Sequence, residues 1–354
     1  MNSAIVLGAG VMGTAFALPL SDRGIAVRLI GTHLDRELVA GMKRDRVHGR
    51  LKAPIGDNIA VFDDREMAEA FAEPAELVIV GVSTPGVDWA VELLAEHDTG
   101  DAPIVLLTKG IARATDRVEI LPDYMARQFA ENGVAHGPIG AVGGPCIAGE
   151  LAVRRATSAA VAFRDRGLAE RLAGALSTPY YQLRATDDLV GLEICAALKN
   201  FYAIGVGTAA GRLESSPTVN NAALHNLAAS LFNQAVTELA RIVTVSSGRT
   251  ETAYGLAGVG DLHVTCQAGR NSRLGRLLGA GMRYSEAMEG PLAGETVEGT
   301  LVAEALQAPL DALAAAGRLD RDEVPLARAI IDAITGDTEL QVDLSALHRA
   351  GVAA

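Results

Sequence analysis

The chain has 354 residues, of which 49% are apolar and 21% are charged, and its formal net charge at pH 7 is −12. This composition is typical of a folded globular protein with room for two domains, and it excludes a largely disordered chain. The negative charge disfavours a general affinity for nucleic acid or for anionic membranes, so an anionic substrate requires a local basic pocket.

Three scattered cysteines, Cys146, Cys195 and Cys266, are too few for a disulfide framework or a thiolate metal site. They indicate a reducing compartment, and we predict no metal. The N-terminal residues lack the pattern of a signal peptide. The only long apolar segment is interrupted by Glu193 and Lys199, so we expect no membrane span. These observations predict a cytoplasmic protein.

The first predicted element is an apolar strand that ends in a glycine-rich turn. Gly8, Gly10 and Gly13 stand in G-x-G-x-x-G spacing, and a helical pattern follows them. The first glycine allows a tight turn, the second lets the backbone approach a pyrophosphate, and the third lets helix and strand pack closely. The N–H groups of the helix start then face the phosphates. This stretch predicts binding of a dinucleotide, NAD or NADP.

The second predicted strand is Val27–Gly31, and its end is where an acidic residue holds the ribose 2′-hydroxyl of NAD. The residues at this end are Gly31-Thr32-His33, whereas Asp35 lies slightly late and Arg36 is nearby. Arg28, within the strand itself, is also nearby. The choice between NAD and NADP therefore stays open.

Strand and helix patterns alternate over the next part of the chain. The further predicted strands are Ile59–Phe62, Leu77–Val82, Ile104–Thr108, Ala141–Gly143, Ser158–Phe163 and Tyr180–Leu183. The predicted helices are Glu66–Phe71, Val87–His97, Arg117–Asn132 and Gly167–Leu176. Such alternation predicts a parallel sheet with helices on both faces and with ligands at the carboxyl ends of its strands.

From Asp187 to about Ala333 the patterns are helical, so we place a domain boundary near Thr186. The sequence thus predicts an α/β protein in two domains. Residues 1–186 form a dinucleotide-binding domain with a Rossmann-type doubly wound sheet. Residues 187–354 form an all-helical substrate domain.

One lysine lies in the most apolar helical stretch, Gly191–Gly211. Apolar residues surround Lys199 on almost every side of the helical wheel, as in a helix inside a large domain. Burial of an ammonium group favours its neutral form, which is the form that accepts a proton. The alternative is a lysine that extends its head to solvent. A second lysine, Lys109, ends the fifth strand, where it is either a functional group or ordinary surface charge.

The helical half contains further candidate site residues. Gly211–Asn221 is predicted as a loop before the long amphipathic helix Leu224–Val243. Asp261 lies in a glycine-rich segment, where it is either a site residue or a helix N-cap. A basic cluster follows, which is either a solvated face or a phosphate site, because guanidinium groups at a glycine-rich bend are suited to binding phosphate. It consists of Arg270, Arg273 and Arg276.

These motifs, in this order, resemble the NAD(P)-dependent glycerol-3-phosphate dehydrogenases of bacterial type. The matching stretches are Gly8–Ala15, Thr108–Ile111, Gly143–Ala148, Ala197–Ile204, Gly255–Leu262 and Gly269–Asn271. The resemblance implies reversible hydride transfer between NAD(P) and sn-glycerol 3-phosphate or dihydroxyacetone phosphate, or a closely related polyol phosphate. An exposed apolar face on the helical half would permit a dimer, and we expect a homodimer.

The resemblance further implies the roles of particular residues. Lys199 is the general acid and base, assisted by Lys109 and Asp261. The substrate-binding set is Asn200, Thr265, Arg270 and Asn271. The cofactor-binding set is Gly8, Gly10, Val11, Met12, Gly13, Ala148, Arg270 and Glu298.

Two other functions remain open from the residues alone. A reductase of 2-keto or 3-hydroxy acids, of the ketopantoate reductase or hydroxyisobutyrate dehydrogenase type, also combines a helical lysine and asparagine with a Rossmann cofactor. It would use Arg270 for a carboxylate. A dinucleotide-binding module without catalysis is the third interpretation.

Overall fold

The computed structural model describes residues 1–97, 99–215, 224–267, 269–343 and 345. The chain divides into two compact units, one of residues 1–109 with 121–189 and the other of residues 110–120 with 190–354. This division differs from the predicted domains in two places. We assigned Gly110–Ile120 to the first domain and it groups with the second unit, whereas residues 187–189, which we assigned to the second domain, group with the first unit.

The first unit is built on one eight-stranded sheet. The strands of the chain are β1 (Ser3–Leu7), β2 (Ala26–Ile30), β3 (Val47–His48), β4 (Ala53–Pro54), β5 (Ile59–Phe62), β6 (Val78–Val80), β7 (Ile104–Leu106), β8 (Ile111–Ala112), β9 (Glu119–Ile120), β10 (Ile139–Gly143), β11 (Thr157–Ala162) and β12 (Tyr181–Thr186). The order in the sheet is β12-β11-β10-β7-β6-β1-β2-β5. Every neighbouring pair is parallel except β10 with β11.

Within the described residues, seven α-helices lie wholly in this unit. They are α1 (Val11–Asp22), α2 (Arg36–Asp45), α3 (Met67–Ala70), α4 (Val87–Glu96), α5 (Leu121–Glu131), α6 (Ala148–Ala152) and α7 (Arg166–Leu176). The sheet core is apolar because the central strands are short runs of buried Val, Ile, Leu and Ala. The α/β class with a Rossmann-type sheet is therefore confirmed.

The position of β1 explains where a ligand is expected in this sheet. It lies between β2 and β6, where the strand order reverses. In open α/β sheets, such a switch point leaves a crevice at the carboxyl ends of the strands. The glycine-rich turn after β1 therefore lies at the mouth of this crevice.

Two short hairpins were not predicted. The strands β3 and β4 pair antiparallel, as do β8 and β9, with two residues in each strand. Strands this short carry no periodic pattern that a sequence reveals. The predicted helix Arg117–Asn132 is accordingly wrong at its start, because Glu119–Ile120 is a strand and the helix begins at Leu121.

The second unit is helical in the described residues apart from the β8–β9 hairpin. Its helices are α8 (Leu189–Ser215), α9 (His225–Val245), α10 (Thr250–Tyr254), α11 (Asp261–Gln267), α12 (Arg270–Gly279), α13 (Tyr284–Glu289), α14 (Glu298–Ala315) and α15 (Pro325–Thr335). Leu189 itself is the last residue of the first unit. A π-helical turn, Leu256–Gly260, leads directly into α11. The predicted all-helical character of the C-terminal half agrees with these elements.

Helix α8 is the long apolar helix that the sequence predicts around Lys199. Among the described residues it is the one helix long and apolar enough to cross a membrane, and 94% of its most apolar window is buried inside the protein. Burial of that kind is typical of a core helix. The predicted loop Gly211–Asn221 is wrong at its start, because the helix continues to Ser215. Residues 216–221 of that prediction lie outside the described residues.

A buried carboxyl group joins three helices of this unit. Glu238 on α9 accepts hydrogen bonds from Gln234 Nε2 (2.8 Å) and Tyr202 OH (3.1 Å), on α9 and α8. It also accepts hydrogen bonds from the backbone N–H groups of Leu326 and Ala327 on α15, both at 2.7 Å. Burial raises the pKa of Glu238 from 4.5 to about 7, although these four donors act in the opposite direction.

We expect the replacement Glu238→Gln to reveal this shift in the pH dependence of stability. Because the folded-state pKa lies above the ordinary value, the wild-type protein loses stability as the pH rises towards about 7. Between pH 4.5 and about 7, the free energy of unfolding of the wild-type protein should fall by about 3 kcal/mol relative to that of the variant. Urea unfolding of both proteins at several pH values measures the difference. An advantage that stays constant with pH would contradict the expectation.

Candidate functional site

The glycine turn after β1 has no room for a side chain at Gly8 or Gly13, whereas the space beside Gly10 is open. Gly8 has a φ of +101°, and a Cβ there would lie 2.8 Å from the carbonyl oxygen of Gly81, at the end of β6. A Cβ on Gly13 would lie 2.0 Å from the carbonyl oxygen of Gly8. Both glycines are therefore required for the close packing of α1 on β1 and β6.

The start of α1 is suited to an anion. Its N-cap is Gly10, which has no side chain to cap the helix, and its first turn contains no acidic residue. Val11 is partly exposed and Met12 is partly buried beside Gly10. The N–H groups of this turn and the positive end of the helix dipole are thus left for a ligand, as in pyrophosphate sites. These residues fit a dinucleotide cofactor.

Two further loops of the first unit carry predicted site residues. Ala148 is the first residue of α6, directly after the exposed Ile147. Lys109 follows β7, and its carbonyl oxygen accepts a hydrogen bond from Thr84 Oγ1 at 3.1 Å. Thr108 Oγ1 donates to the carbonyl oxygen of Val82 at 2.7 Å. The turns after β6 and β7 are therefore joined by side-chain hydrogen bonds.

In the second unit, Lys199 and Asp261 form a buried ion pair. Lys199 is 8% exposed and Asp261 is 1% exposed, and Lys199 Nζ donates to Asp261 Oδ1. Lys199 therefore does not extend its head to solvent. Asp261 is the first residue of α11, and its backbone dihedral angles are already helical. It therefore belongs to the helix and is not its N-cap. Two charges buried together are neutral overall, whereas removal of either one leaves an uncompensated charge.

Asn200, the residue after Lys199, takes part in a chain of hydrogen bonds made by side-chain amides. Asn200 Oδ1 accepts from Asn271 Nδ2 (3.1 Å), and Asn200 Nδ2 donates to Glu298 Oε2 (2.8 Å). Asn271 Oδ1 accepts from the backbone N–H of Gly299 at 2.8 Å. Arg270 Nη2 lies 3.9 Å from Glu298 Oε1. The structure therefore brings Asn200, Arg270, Asn271 and Glu298 together where α8, α12 and α14 meet.

The predicted basic cluster divides into one available and two paired arginines. Arg273 Nη1 lies 2.7 Å from Glu295 Oε1, and Arg276 forms an ion pair with Glu214. Because Arg273 and Arg276 are paired with carboxylates, Arg270 stays the candidate of this cluster for binding a phosphate. The side chain of Arg270 is about half exposed and makes only the long contact to Glu298 among the described residues. Thr265 Oγ1 donates to the carbonyl oxygen of Asp261 at 2.7 Å.

Close backbone contact between α8 and α12 fixes the geometry of this region. A Cβ on Gly275 would lie 2.0 Å from the carbonyl oxygen of Ile204, and a Cβ on Gly211 would lie 1.9 Å from that of Arg276. A Cβ on Gly207 would lie 2.5 Å from the carbonyl oxygen of Ser272. We did not predict this crossing. Its signal in the sequence is the four-residue spacing of glycines on both helices, Gly207 with Gly211 and Gly275 with Gly279.

Comparison with known proteins identifies the family. The model of the NAD-dependent glycerol-3-phosphate dehydrogenase N-terminus matches residues 3–169, and that of the C-terminus of the same enzymes matches residues 188–344. The NADP(+)-dependent glycerol-3-phosphate dehydrogenase of Archaeoglobus fulgidus is 34% identical, over 80% of this chain and 82% of its own length. The glycerol-3-phosphate dehydrogenase [NAD(P)+] of a Chelativorans species is 32% identical, over 78% of this chain and 80% of its own.

Solved structures agree with these sequence matches. The crystal structure of glycerol-3-phosphate dehydrogenase from Coxiella burnetii superposes with a TM-score of 0.79 at 26% identity, covering 98% of each chain. A ketopantoate reductase from Ralstonia eutropha reaches a TM-score of 0.51 at 13% identity and shares the fold alone. The main interpretation is therefore favoured over the keto-acid reductase. The chain belongs to the NAD-dependent glycerol-3-phosphate dehydrogenase family.

Proposed function

We propose that this protein transfers a hydride reversibly between NAD(P) and sn-glycerol 3-phosphate, with dihydroxyacetone phosphate as the oxidised partner. The observation that carries the proposal is the buried Lys199–Asp261 pair on α8 and α11, with Arg270 at the start of the adjoining α12. The names of the curated relatives support the same reaction. A slightly larger polyol phosphate is the alternative substrate of the same kind.

In this proposal Lys199 is the group that donates and accepts the proton of the reaction. The bound nicotinamide supplies or accepts the hydride at the carbinol carbon. In the reducing direction, the ammonium group of Lys199 gives a proton to the carbonyl oxygen, and the resulting amine stays beside the carboxylate of Asp261. In the oxidising direction the amine takes the hydroxyl proton. Asp261 orients Nζ, and Lys109 adds positive charge that stabilises the developing alkoxide.

The remaining residues position the two ligands. We assign the substrate to Asn200, Thr265, Asn271 and Arg270, with the Arg270 guanidinium on the phosphate. We assign the cofactor to Gly8, Gly10, Val11, Met12, Gly13 and Ala148, with Glu298 and Arg270. On this basis residues 1–186 are the dinucleotide-binding domain and residues 187–354 the substrate domain. Binding energy from the phosphate then orients the reacting carbon.

The direct test is a spectrophotometric screen of the purified protein. NADH and NADPH are each offered with dihydroxyacetone phosphate, with larger phosphorylated ketoses and with ketopantoate. Oxidation of the cofactor by dihydroxyacetone phosphate supports the proposal. Turnover of ketopantoate without turnover of any phosphorylated ketose would overturn it, and so would cofactor binding without turnover of any substrate.

Arg270→Leu should remove the preference for a phosphorylated substrate. We expect the ratio of kcat/KM for dihydroxyacetone phosphate to that for dihydroxyacetone to fall about 100-fold, as for the loss of a charged hydrogen-bonded pair. This ratio is insensitive to any effect of Arg270 on the cofactor. The control is Arg273→Leu, an arginine of the same helix that is paired with Glu295 and should keep the ratio. Equal ratios in both variants would remove Arg270 from the phosphate site.

We also propose that the protein is a cytoplasmic homodimer. None of its three cysteines forms a disulfide bond, which fits a reducing compartment. The homodimer is an expectation from the sequence, in which an apolar face on the helical half would permit a dimer. Light scattering after size-exclusion chromatography tests it, and a monomeric mass at micromolar concentration would contradict it.

A further inference from the structure

We propose that Asn271 and Asn200 are positioning residues that orient the carboxylate of Glu298 towards Arg270, and that this orientation sets the preference for a phosphorylated substrate. The proposal rests on the proposed function and deepens it, because it concerns how the phosphate-binding arginine is held. All of its residues belong to the second unit. It adds to the substrate contacts assigned to the two asparagines, since each side-chain amide nitrogen carries a second hydrogen for a ligand.

The chain of hydrogen bonds begins at the start of α14. The N-cap of this helix, Val297, makes no side-chain hydrogen bond to it, and the first N–H groups of a helix have no partner within the helix. Asn271 on α12 supplies the missing cap, because its Oδ1 accepts from the backbone N–H of Gly299 at 2.8 Å. A Cβ on Gly299 would lie 2.8 Å from Asn271 Oδ1 and 2.6 Å from the carbonyl oxygen of Asn200. The glycine therefore permits this close approach.

The backbone N–H of Gly299 fixes the orientation of both amides. A backbone N–H only donates, so the Asn271 atom that faces it is the oxygen, and Nδ2 is left on the other side. This Nδ2 donates to Asn200 Oδ1 at 3.1 Å. Asn200 Nδ2 consequently faces Glu298 and donates to Oε2 at 2.8 Å. These four residues form a chain with one direction, which we name the amide relay.

Burial makes the direction of the amide relay strict. Asn271 is 8% exposed and Asn200 is 5% exposed, so water has little access to either amide. A buried donor that faces a donor, or an acceptor that faces an acceptor, loses its hydrogen bond without compensation from water. A reversal at one residue is therefore passed on to the next.

The amide relay ends beside the arginine that we assign to the phosphate. Glu298 Oε2 is engaged by Asn200, whereas Oε1 lies 3.9 Å from Arg270 Nη2. This distance allows attraction between the two charges but is too long for a hydrogen bond. By contrast, Arg273 Nη1 of the same helix is engaged by Glu295 at 2.7 Å. Glu298 thus directs the guanidinium group of Arg270 and leaves its N–H donors to the phosphate.

Asn271→Asp reverses the amide relay without changing the size of the side chain. The new carboxylate still accepts from Gly299, but it cannot donate to Asn200. The Asn200 amide must turn so that its Nδ2 donates to the new carboxylate, and its oxygen then faces the oxygens of Glu298. We expect Glu298 to move away and Arg270 to lose its direction.

Glu298→Gln is the complementary change at the other end. In this variant Asn200 keeps its orientation, so the new amide accepts from Asn200 with its oxygen and turns its nitrogen towards Arg270, a donor towards a donor. In the double variant Asn200 is turned, so the new amide donates to Asn200 and its oxygen faces Arg270 again. The double variant also keeps the net charge, because one carboxylate is gained and one is lost.

The test measures the ratio of kcat/KM for dihydroxyacetone phosphate to that for dihydroxyacetone in the purified proteins. Each single variant should lower this ratio about 10-fold, as for the loss of a hydrogen bond in a buried network. The double variant should return to within about threefold of the wild-type ratio, because the two changes are coupled through Asn200. A purely structural role or a direct contact of each residue predicts losses that add instead.

The matched control is Glu295→Gln, which removes the same charge from a partly exposed carboxylate paired with Arg273 and should keep the ratio. The side chain of Glu298 is 39% exposed, so Glu298→Gln tests the last step even if Asn271→Asp does not fold. A loss of about 100-fold in the double variant, or a wild-type ratio in either single variant, would overturn the amide relay and leave the dehydrogenase function standing. Failure of the wild-type protein to reduce dihydroxyacetone phosphate would overturn both.

Discussion

Lys199→Ala should lower turnover about 1,000-fold or more while leaving the affinity for NADPH within about a factor of three. The reason is that the proposed reaction needs a proton at the substrate oxygen in step with hydride transfer, and general acid–base groups typically contribute factors of about 10² to 10⁴. The glycine turn belongs to the other unit and the replacement removes none of the residues assigned to the cofactor, so the affinity for NADPH should change little. Steady-state kinetics with dihydroxyacetone phosphate and a fluorescence titration of NADPH measure the two effects.

The same replacement should also destabilise the protein. It leaves the carboxylate of Asp261, which is 1% exposed, without its ammonium partner. Breaking a buried pair in this way costs about 3 to 5 kcal/mol. A suitable control is Lys43→Ala, which removes an exposed lysine paired with Glu66 and should change neither turnover nor stability appreciably. Wild-type turnover in Lys199→Ala would refute the assignment of the catalytic group.

Gly275→Ala, which replaces a single hydrogen by a methyl group, should strongly destabilise the second unit. The added Cβ would lie 2.0 Å from the carbonyl oxygen of Ile204, which cannot move without moving α8. We expect the free energy of unfolding to fall by about 3 kcal/mol. Because α8 carries Lys199 and α12 carries Arg270, separating them should also lower kcat/KM about 100-fold.

A second glycine provides the control for this prediction. Gly174 lies inside α7, where an added Cβ would meet no atom within 4 Å. Gly174→Ala should therefore stabilise the protein by about 0.5 to 1 kcal/mol, through the lower entropy of the unfolded chain, and leave activity unchanged. Thermal unfolding of both variants, with kinetics at the same temperature, distinguishes the contact from a general effect of alanine. Equal stability of the two variants would contradict the close helix crossing.

Parts of the fold followed from local sequence requirements. The strand Ile59–Phe62 has the predicted bounds, and the turn with Gly8 and Gly13 was predicted because close packing there excludes side chains. The apolar surroundings of Lys199 likewise predicted its burial, since neighbours in a helix are fixed by sequence spacing. Each of these features depends on residues that are near one another in the chain.

Other features depended on contacts that spacing does not encode. Asp261 is 62 residues from Lys199, and only the family resemblance suggested it as a partner. Strand β11 pairs antiparallel with β10. Its apolar run suits either direction, so the sequence does not predict which direction the strand takes. The hairpin that holds His48 is too short to show a period. The hydrogen bond from His48 to Ala9, which joins this hairpin to the glycine turn, likewise links residues that are 39 apart in the chain.

The most direct measurement of the central claim uses the double variant Lys199→Met with Asp261→Asn. Removing both charges together avoids an unpaired buried ion, so this protein should regain most of the stability lost in Lys199→Ala. We predict that it folds, binds NADPH with wild-type affinity and does not oxidise bound NADPH in a single turnover with dihydroxyacetone phosphate. Oxidation at the wild-type rate by this variant would contradict the claim that the buried pair is the reacting centre.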